Sequence, residues 1–333
     1  MIPDGVFLYR VLVFPGFLFL LAFTLFCDWF ERKVMARMQN RMGPSYAGPF
    51  GLLQPLADYV KLLMKEDVTP LHVRNFLFTL APMLSFSLFM LSIFSLPWDG
   101  GNVFSEYGFE GDLLFVLALV ALAHFFLFLS GWSSSNPYGE MGAVRIITQF
   151  LGYDIPLIIS ALGPAFLAGS LSLARIASSQ TVPFALLTPW VFTIFLISLQ
   201  AELEEDPFDV PHAETEIVAG YGTEFSGRKL AFIRLSKDLQ IVFGAALAAT
   251  LFLGGPYGPA LSDPPGLWFT AYFIVKVLLV IALMVLIEAV CARLRIDHII
   301  RGNWLIVTPA ALVSVIISAL LSPHIRIFME API

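Results

Sequence analysis

The chain has 333 residues, of which 58% are hydrophobic and only 13% charged. A soluble globular domain carries about 25% charged residues, so this composition excludes an ordinary soluble enzyme or nucleic-acid-binding module. The formal net charge of −6 says less than where the charges fall.

Long apolar runs recur from one end to the other. The first is about Val6 to Phe30, with Pro15 near its start. ERK follows it directly with no small-residue cleavage site, so the run is read as a retained anchor and not a signal peptide. A long polar stretch then covers Glu31 to Arg74. The second run fills Asn75 to Trp98, and a short acidic loop with Asp99, Glu106, Glu110 and Asp112 leads to the third, Leu113 to Gly131. The loop WSSSNPYGEMGAVR precedes the fourth, about Ile146 to Ser170, and the fifth is about Val182 to Gln200. After an acidic segment come the sixth, about Leu230 to Leu253, the turn Ser262 to Gly266, and the seventh, about Leu267 to Val290. The eighth is Trp304 to Ser322.

At 1.5 Å per residue each run reaches across ~30 Å of hydrocarbon. Backbone polar groups need internal partners in lipid, so the runs are helices. The expected fold is an all-α integral membrane protein forming a single membrane domain over residues 1–333. It has eight transmembrane helices plus an amphipathic interfacial helix in the first cytoplasmic loop.

Eight crossings put the segments 31–74, 132–145, 201–238 and 291–303 on one side, the acidic loop proper covering about 201–229. That side holds 15 of the 19 Lys and Arg residues; Arg10, Arg175 and Arg326 fall on the other, and Lys276 lies within the seventh run. By the positive-inside rule the long loops are cytoplasmic and both termini outside. The expected location is the cell membrane, in contact with lipid and not with nucleic acid.

In the first loop Lys33, Arg37 and Arg41 recur every four residues on one helical face, with Met35, Met38 and Met42 on another. GPSYAGPFG breaks the helix. Leu56, Val60, Leu63 and Met64 follow at helical spacing with Asp58, Lys61 and Lys65 opposite, the pattern of a helix lying in the interface. Taken alone, this also fits a basic loop touching anionic lipid.

The segment Gln200 to Asp238 holds nine carboxylates: Glu202, Glu204, Glu205, Asp206, Asp209, Glu214, Glu216, Glu224 and Asp238. That is more than a third of the 25 acids of the chain, a density that a plain connecting loop does not require. Asp154, Lys276 and Glu288 lie within apolar runs, where ionisable groups mark ion pathways. The bland alternatives are an Asp154–Lys276 ion pair and a Glu288 that reaches the interface. His124 is read as a packing histidine, and Cys27 and Cys291 as small core residues. No Walker, GxGxxG, CxxC or HExxH motif is present, so redox or nucleotide chemistry belongs to a partner.

Two long motifs carry a resemblance. ERKVMARMQNRMGP with GPFGLLQPLADYVKLLMKED resembles the first cytoplasmic loop of the NADH dehydrogenase subunit 1 family of respiratory complex I, in its bacterial form. AELEEDPFDVPHAETEIVAGYGTEFSG resembles the acidic loop of that family. Tyr153-Asp154, Lys276, Arg293 to Arg295, Asp297, Trp304 and Pro309 fit the same pattern.

The resemblance implies a membrane-arm coupling subunit of a redox-driven ion pump, docked beneath a peripheral arm. That arm's iron–sulfur subunit and large catalytic subunit carry the clusters, and small membrane subunits and antiporter-like subunits complete the membrane arm. It implies an ion path through Glu202, Asp209, Glu214, Glu216, Glu224 and Asp154. It assigns Arg37, Arg41, Gln54, Asp58 and Lys61 to the acceptor chamber or docking surface. The chain is expected to bind no cofactor of its own, and quinone is left open.

The sequence also departs from the family pattern. Glu205 and Glu288 stand where arginines are usual, Ser45-Tyr46 where Asn-Arg is usual, and His212 where Glu is usual. These changes at the chamber favour a relative similar to ferredoxin-dependent archaeal membrane-bound hydrogenase or sulfane sulfur reductase complexes. The alternative is the quinone-binding subunit of an NADH- or ferredoxin-quinone oxidoreductase, which the complex I-like length of the first loop supports. A stand-alone ion transporter is the reading of a different class, but no inverted repeat is visible.

Overall fold

Small side chains decide which helix sits at the centre. The stretch GAALAAT, Gly244 to Thr250, has almost no side-chain bulk, and small residues let helices approach closely where lipid gives no hydrophobic drive. A Cβ at Gly244 would fall 2.8 Å from Leu199 Cδ1. The helix that contains this stretch is the most enclosed: 83% of its most apolar window is buried, against 22–56% in the other long helices.

The computed structural model describes residues 9–330 apart from 72, 74, 101–109, 212, 213 and 260–264. Every regular element among them is helical. In chain order they are α1 Phe17–Met38, α2 Gln54–Met64, α3 Asn75–Phe94, α4 Asp112–Ser133 and α5 Pro137–Ala168. Next come the short α6 Leu173–Ser178, α7 Phe184–Leu187, α8 Pro189–Glu202 and α9 Glu214–Ile217. The central helix is α10 Gly227–Phe252; α11 Pro265–Val290, α12 Ile296–Gly302 and α13 Thr308–Glu330 complete the chain. Helix α10 packs on α3, α11, α2 and α1, while α5 packs on α4, α8 and α13.

Seven stretches of the described residues are long and apolar enough to span a membrane. The fifth expected run, 182–200, is the exception. It breaks at Thr188, whose backbone is not helical (φ −132°, ψ 65°), because a residue before proline is pushed out of the helical region. Pro189 then opens α8, whose 14 residues reach only about 21 Å at 1.5 Å each. Eight expected crossings therefore become seven long helices and one short one.

Three other boundaries moved for local reasons. Helix α5 starts nine residues before the expected Ile146, because the Asn136 side chain accepts from Tyr138 N at 2.9 Å and Pro137 occupies the first turn. Arg145 is thus helical. The polar stretch from Glu31 continues α1 to Met38, so Arg41 lies past its end. The amphipathic helix exists as α2, but Leu56, Val60 and Leu63 line a shallow apolar cleft with Leu21, Leu25 and Leu235. Cys27 is buried as expected, whereas Cys291 is exposed at the end of α11.

The acidic segment is threaded into the bundle. Tyr221 is 1% exposed and sits between α4 and α5, where two glycines make room. A Cβ at Gly131 would meet Tyr221 Cβ at 2.6 Å, and one at Gly142 would meet Tyr221 N at 2.5 Å. Phe208 packs on Tyr153 (5.2 Å between rings) and Phe225 stacks on Phe78 (4.1 Å). Gln149 Nε2 donates to the Ala201 and Phe208 carbonyls at 2.7 and 2.9 Å, satisfying backbone groups that no ladder serves. The first loop is stitched to the same region: Lys229 Nζ lies 3.3 Å from Asp67 and Val68 N donates to Ser226 Oγ at 3.0 Å.

Gly142→Val should drive Tyr221 out at a cost of about 1–3 kcal/mol, the usual penalty of overpacking. Limited proteolysis of the assembled protein is expected to cut within 203–226 in this variant but not in Gly222→Ala, since nothing lies within 4 Å of a Cβ at Gly222. Equal protection in both would contradict the threading.

Candidate functional site

One half of α10 is polar. Arg234, Lys237, Asp238 and Gln240 fall within two turns, and successive positions on a helix point about 100° apart. Lys237, Asp238 and Gln240 therefore face three directions, and each meets a different cluster.

Asp238 faces the first loop. Its carboxylate accepts a short hydrogen bond from Tyr59 OH of α2. Beside it, Arg32 Nε holds Asp28 at 2.7 Å and Arg32 Nη1 holds Asp58 at 2.8 Å, while Gln54 Nε2 donates to Asp58 at 3.0 Å. Arg32, Asp58, Tyr59, Leu62, Arg234, Lys237 and Asp238 line a cavity of about 190 Å³. Burial raises the Asp58 carboxyl, but the Arg32 and Gln54 hydrogen bonds outweigh it and leave the group below its usual range. Burial, and then the charge of Asp238, push the Tyr59 phenol well above its usual range, so it remains a donor.

Lys237 faces the start of the acidic segment, with Nζ 3.1 Å from Glu205. Glu205 in turn shares a small region with Glu31 of α1 and Glu288 of α11; one oxygen from each of the three lies within 4.8 Å of the others.

Gln240 faces α4. Its Nε2 donates to the Glu202 carbonyl at 2.6 Å and lies 2.7 Å from His124 Nε2. His124 Nδ1 is 2.9 Å from the Val120 carbonyl and 3.3 Å from the Glu202 carboxylate. Assigning the ring proton to Nδ1 lets it donate to the Val120 carbonyl and leaves Nε2 free to accept from Gln240, while both Glu202 carboxylate oxygens have no hydrogen-bond donor among the described residues. Glu202 and His124 are both buried, and Asp154 interacts electrostatically with each. His124 packs on Phe89 and Phe150 as a packing histidine should, and it is also the link between Gln240 and Glu202.

The remaining expected residues divide. Glu216 is exposed and pairs with Arg145 at 2.7 Å, whose hydrogen bond and charge hold its carboxyl below the usual range. Glu224 accepts from Asn136. Asp209 Oδ1 has no hydrogen-bond donor among the described residues, and its charge, with burial first, raises the Asp206 carboxyl. Glu214 begins α9, while His212 lies outside the described residues. Arg37, Arg41 and Lys61 are exposed. Lys276 pairs with no carboxylate among the described residues: it donates to the Gly255 and Tyr257 carbonyls at 2.7 and 2.9 Å and ties the end of α10 to α11.

Sequence reasoning passed over Asp28, Glu31, Arg32, Tyr59, Lys237 and Gln240. The i,i+4 spacing of Asp28 and Arg32 is a legible pair signal. The others become neighbours only through folding.

Buried polar and ionisable side chains set among helices long and apolar enough to span a membrane define the class as a multi-pass membrane protein. The family model described as NADH dehydrogenase matches residues 11–319. The H subunit of the NADH-quinone oxidoreductase of Dehalococcoides mccartyi (strain CBDB1) is 39% identical over 321 residues, 96% of this chain and 88% of the relative. Its counterpart in Thermomicrobium roseum is 39% identical over 89% of this chain and 90% of the relative, and that of Brevibacillus brevis is 36% identical over 90% and 88%. The chain belongs to the NADH dehydrogenase subunit 1 family. It is a multi-pass membrane component of a multisubunit oxidoreductase complex.

The depressed Asp58 carboxyl fixes the sign of a pH effect. Its contribution to holding α2 is complete above the ordinary aspartate value of ~3.9 and is lost as pH falls through the lower folded value. Hydrogen exchange in 54–64, corrected for intrinsic rates, should rise as the pH of the wild-type complex is lowered from neutral through that window. Asp58→Asn should be exchange-prone already at neutral pH and show no such transition. A transition retained in Asp58→Asn would assign it to another group.

Proposed function

We propose that the chain is the membrane-arm coupling subunit of a complex I-like, redox-driven ion pump. The observation that carries this reading is the sequence of contacts threaded on α10. Asp58, Arg32 and Asp238 form one cluster, Lys237 and Glu205 the next, and Gln240, His124 and Glu202 the last, with Asp154 acting on His124 and Glu202 through its charge. Such a series links a loop that faces a peripheral arm to a carboxylate among the membrane helices. In this reading the basic side is cytoplasmic, the iron–sulfur subunit docks on the first loop, and Asp154 hands the signal to the adjoining membrane subunits.

The coupling is electrostatic. Two unit charges 4 Å apart interact by about 4 kcal/mol at an effective dielectric of 20. One pKa unit is about 1.4 kcal/mol. A charge that appears in the cavity beside Lys237 is therefore sufficient to move a proton on a neighbouring carboxylate. Carboxylates this close titrate as a group, so the group is the functional unit.

For the acceptor, similarity along nearly the whole chain to relatives named as H subunits of NADH-quinone oxidoreductase supports quinone, with NADH or ferredoxin as donor. This turns the balance from the reading that the sequence departures favoured. A hydrogenase or sulfane sulfur reductase complex remains the second reading, and one observation supports it: Glu205 and Glu288 bring negative charge to one spot close to the cavity.

The test uses the purified complex in vesicles, assayed for electron transfer to quinone, protons and polysulfide and for ion uptake. Asp154→Asn and Glu202→Gln should each reduce ion uptake roughly tenfold, about 1.4 kcal/mol in barrier, while electron transfer persists. Wild-type uptake in both variants removes these residues from the path. Reduction of polysulfide or protons but not quinone selects the second reading.

A further inference from the structure

Three carboxylates from separate elements converge at one point. Glu31 comes from α1, Glu205 from the turn after α8 and Glu288 from α11, and one oxygen of each lies within 4.8 Å of the others. Two oxygens bound to a common ion at 2.3–2.6 Å are at most about 5 Å apart, so the spacing fits shared coordination. Among the described residues this is the one group of its kind.

A second, independent feature points to a ligand. The three acids face a small cavity with room for about one water-sized sphere, roughly 10 Å³, close to the minimum that holds one bound particle. Gln200 lines the same cavity, and the rest of the wall is Ile241, Ile281, Met284 and Val285. Gln200 is 1% exposed. Its Nε2 donates to the Asp206 carbonyl at 3.0 Å, which fixes the amide, while Oε1 has no hydrogen-bond donor among the described residues. A buried oxygen left without a partner is costly, and a cation in the cavity removes that cost.

We propose that Glu31, Glu205, Glu288 and Gln200 form a binding site for one hard, calcium-sized divalent cation. The donors are all oxygen, which selects such an ion over a transition metal. The charge agrees: of the basic groups, Lys237 Nζ lies 3.1 Å from Glu205, and three carboxylates against one ammonium leave two negative charges. The bound ion ties α1, the start of the acidic segment and α11 together at one point. It also holds Glu205 in place for Lys237. The inference rests on this geometry and stands whichever acceptor the complex uses.

The purified complex, stripped with a chelator, is titrated by equilibrium dialysis with calcium alone and, separately, with sodium alone. Wild type should bind calcium at a site whose affinity falls at least roughly tenfold in Glu288→Gln. Glu288→Asp, which keeps a shortened carboxylate, should fall between them. If Glu288→Gln does not assemble with its full subunit content, Gln200→Met, which removes the neutral ligand and its hydrogen bond to Asp206 but keeps all three carboxylates, carries the same comparison. Identical calcium binding in wild type and variant overturns the site, and so does a site that takes sodium but not calcium.

Discussion

The ion pair between Lys237 and Glu205, 3.1 Å apart, is the interaction on which the arrangement of the polar end depends. Both side chains are mostly enclosed, at 28% and 16% exposure. Desolvating a charge costs several kcal/mol unless a partner and further hydrogen bonds offset it. Lys237 stands between Asp238, adjacent on α10, and Glu205, which adjoins Glu31 and Glu288. Removing it would leave like charges facing one another in a poorly solvated place. The pair therefore sets where the acidic segment leaves α8 and how close α1 and α11 come to it.

Beyond that pair, apolar anchors hold the segment in place. Tyr221, Phe208 and Phe225 are each buried in the bundle, and ordering a backbone residue costs roughly 1–2 kcal/mol, so a segment of this length stays fixed only where such residues bury surface. The outcome is a loop whose carboxylates point in chosen directions. Glu202 turns toward His124 while Glu205, three residues on, turns toward α1 and α11, with Glu204 between them in a left-handed backbone conformation (φ 55°). One acidic run thus supplies two separate groups, and α10 joins them.

Much of this was legible in the residues. Apolar runs located the long helices, because hydrophobic length alone decides a membrane span. The two long loop motifs led to the family. The halving of the fifth run was less visible, since its hydropathy is continuous and only the prolines at 183 and 189 mark the break. Convergence was not legible at all: Glu31, Glu205 and Glu288 are far apart in sequence, and Gln240 reads as an ordinary polar residue within a membrane helix. Glu205 and Glu288 each depart from the family pattern in sequence, and their meeting at one point follows only from the packing of α11 against α1. Lys276 is a related case: its depth in an apolar run marks it for an ion path, while the two loop carbonyls it donates to are not visible in the sequence.

The central claim is that the polar side chains of α10 carry a charge change from the loop cavity to the carboxylates among the membrane helices. Redox-difference infrared spectroscopy of the intact complex tests it most directly, because protonated carboxyl groups absorb apart from carboxylates. Reduction should produce carboxyl difference bands that Glu202→Gln alters, and Gln240→Leu should abolish those same bands while leaving the reduction itself complete. Unchanged bands in Gln240→Leu would contradict the account.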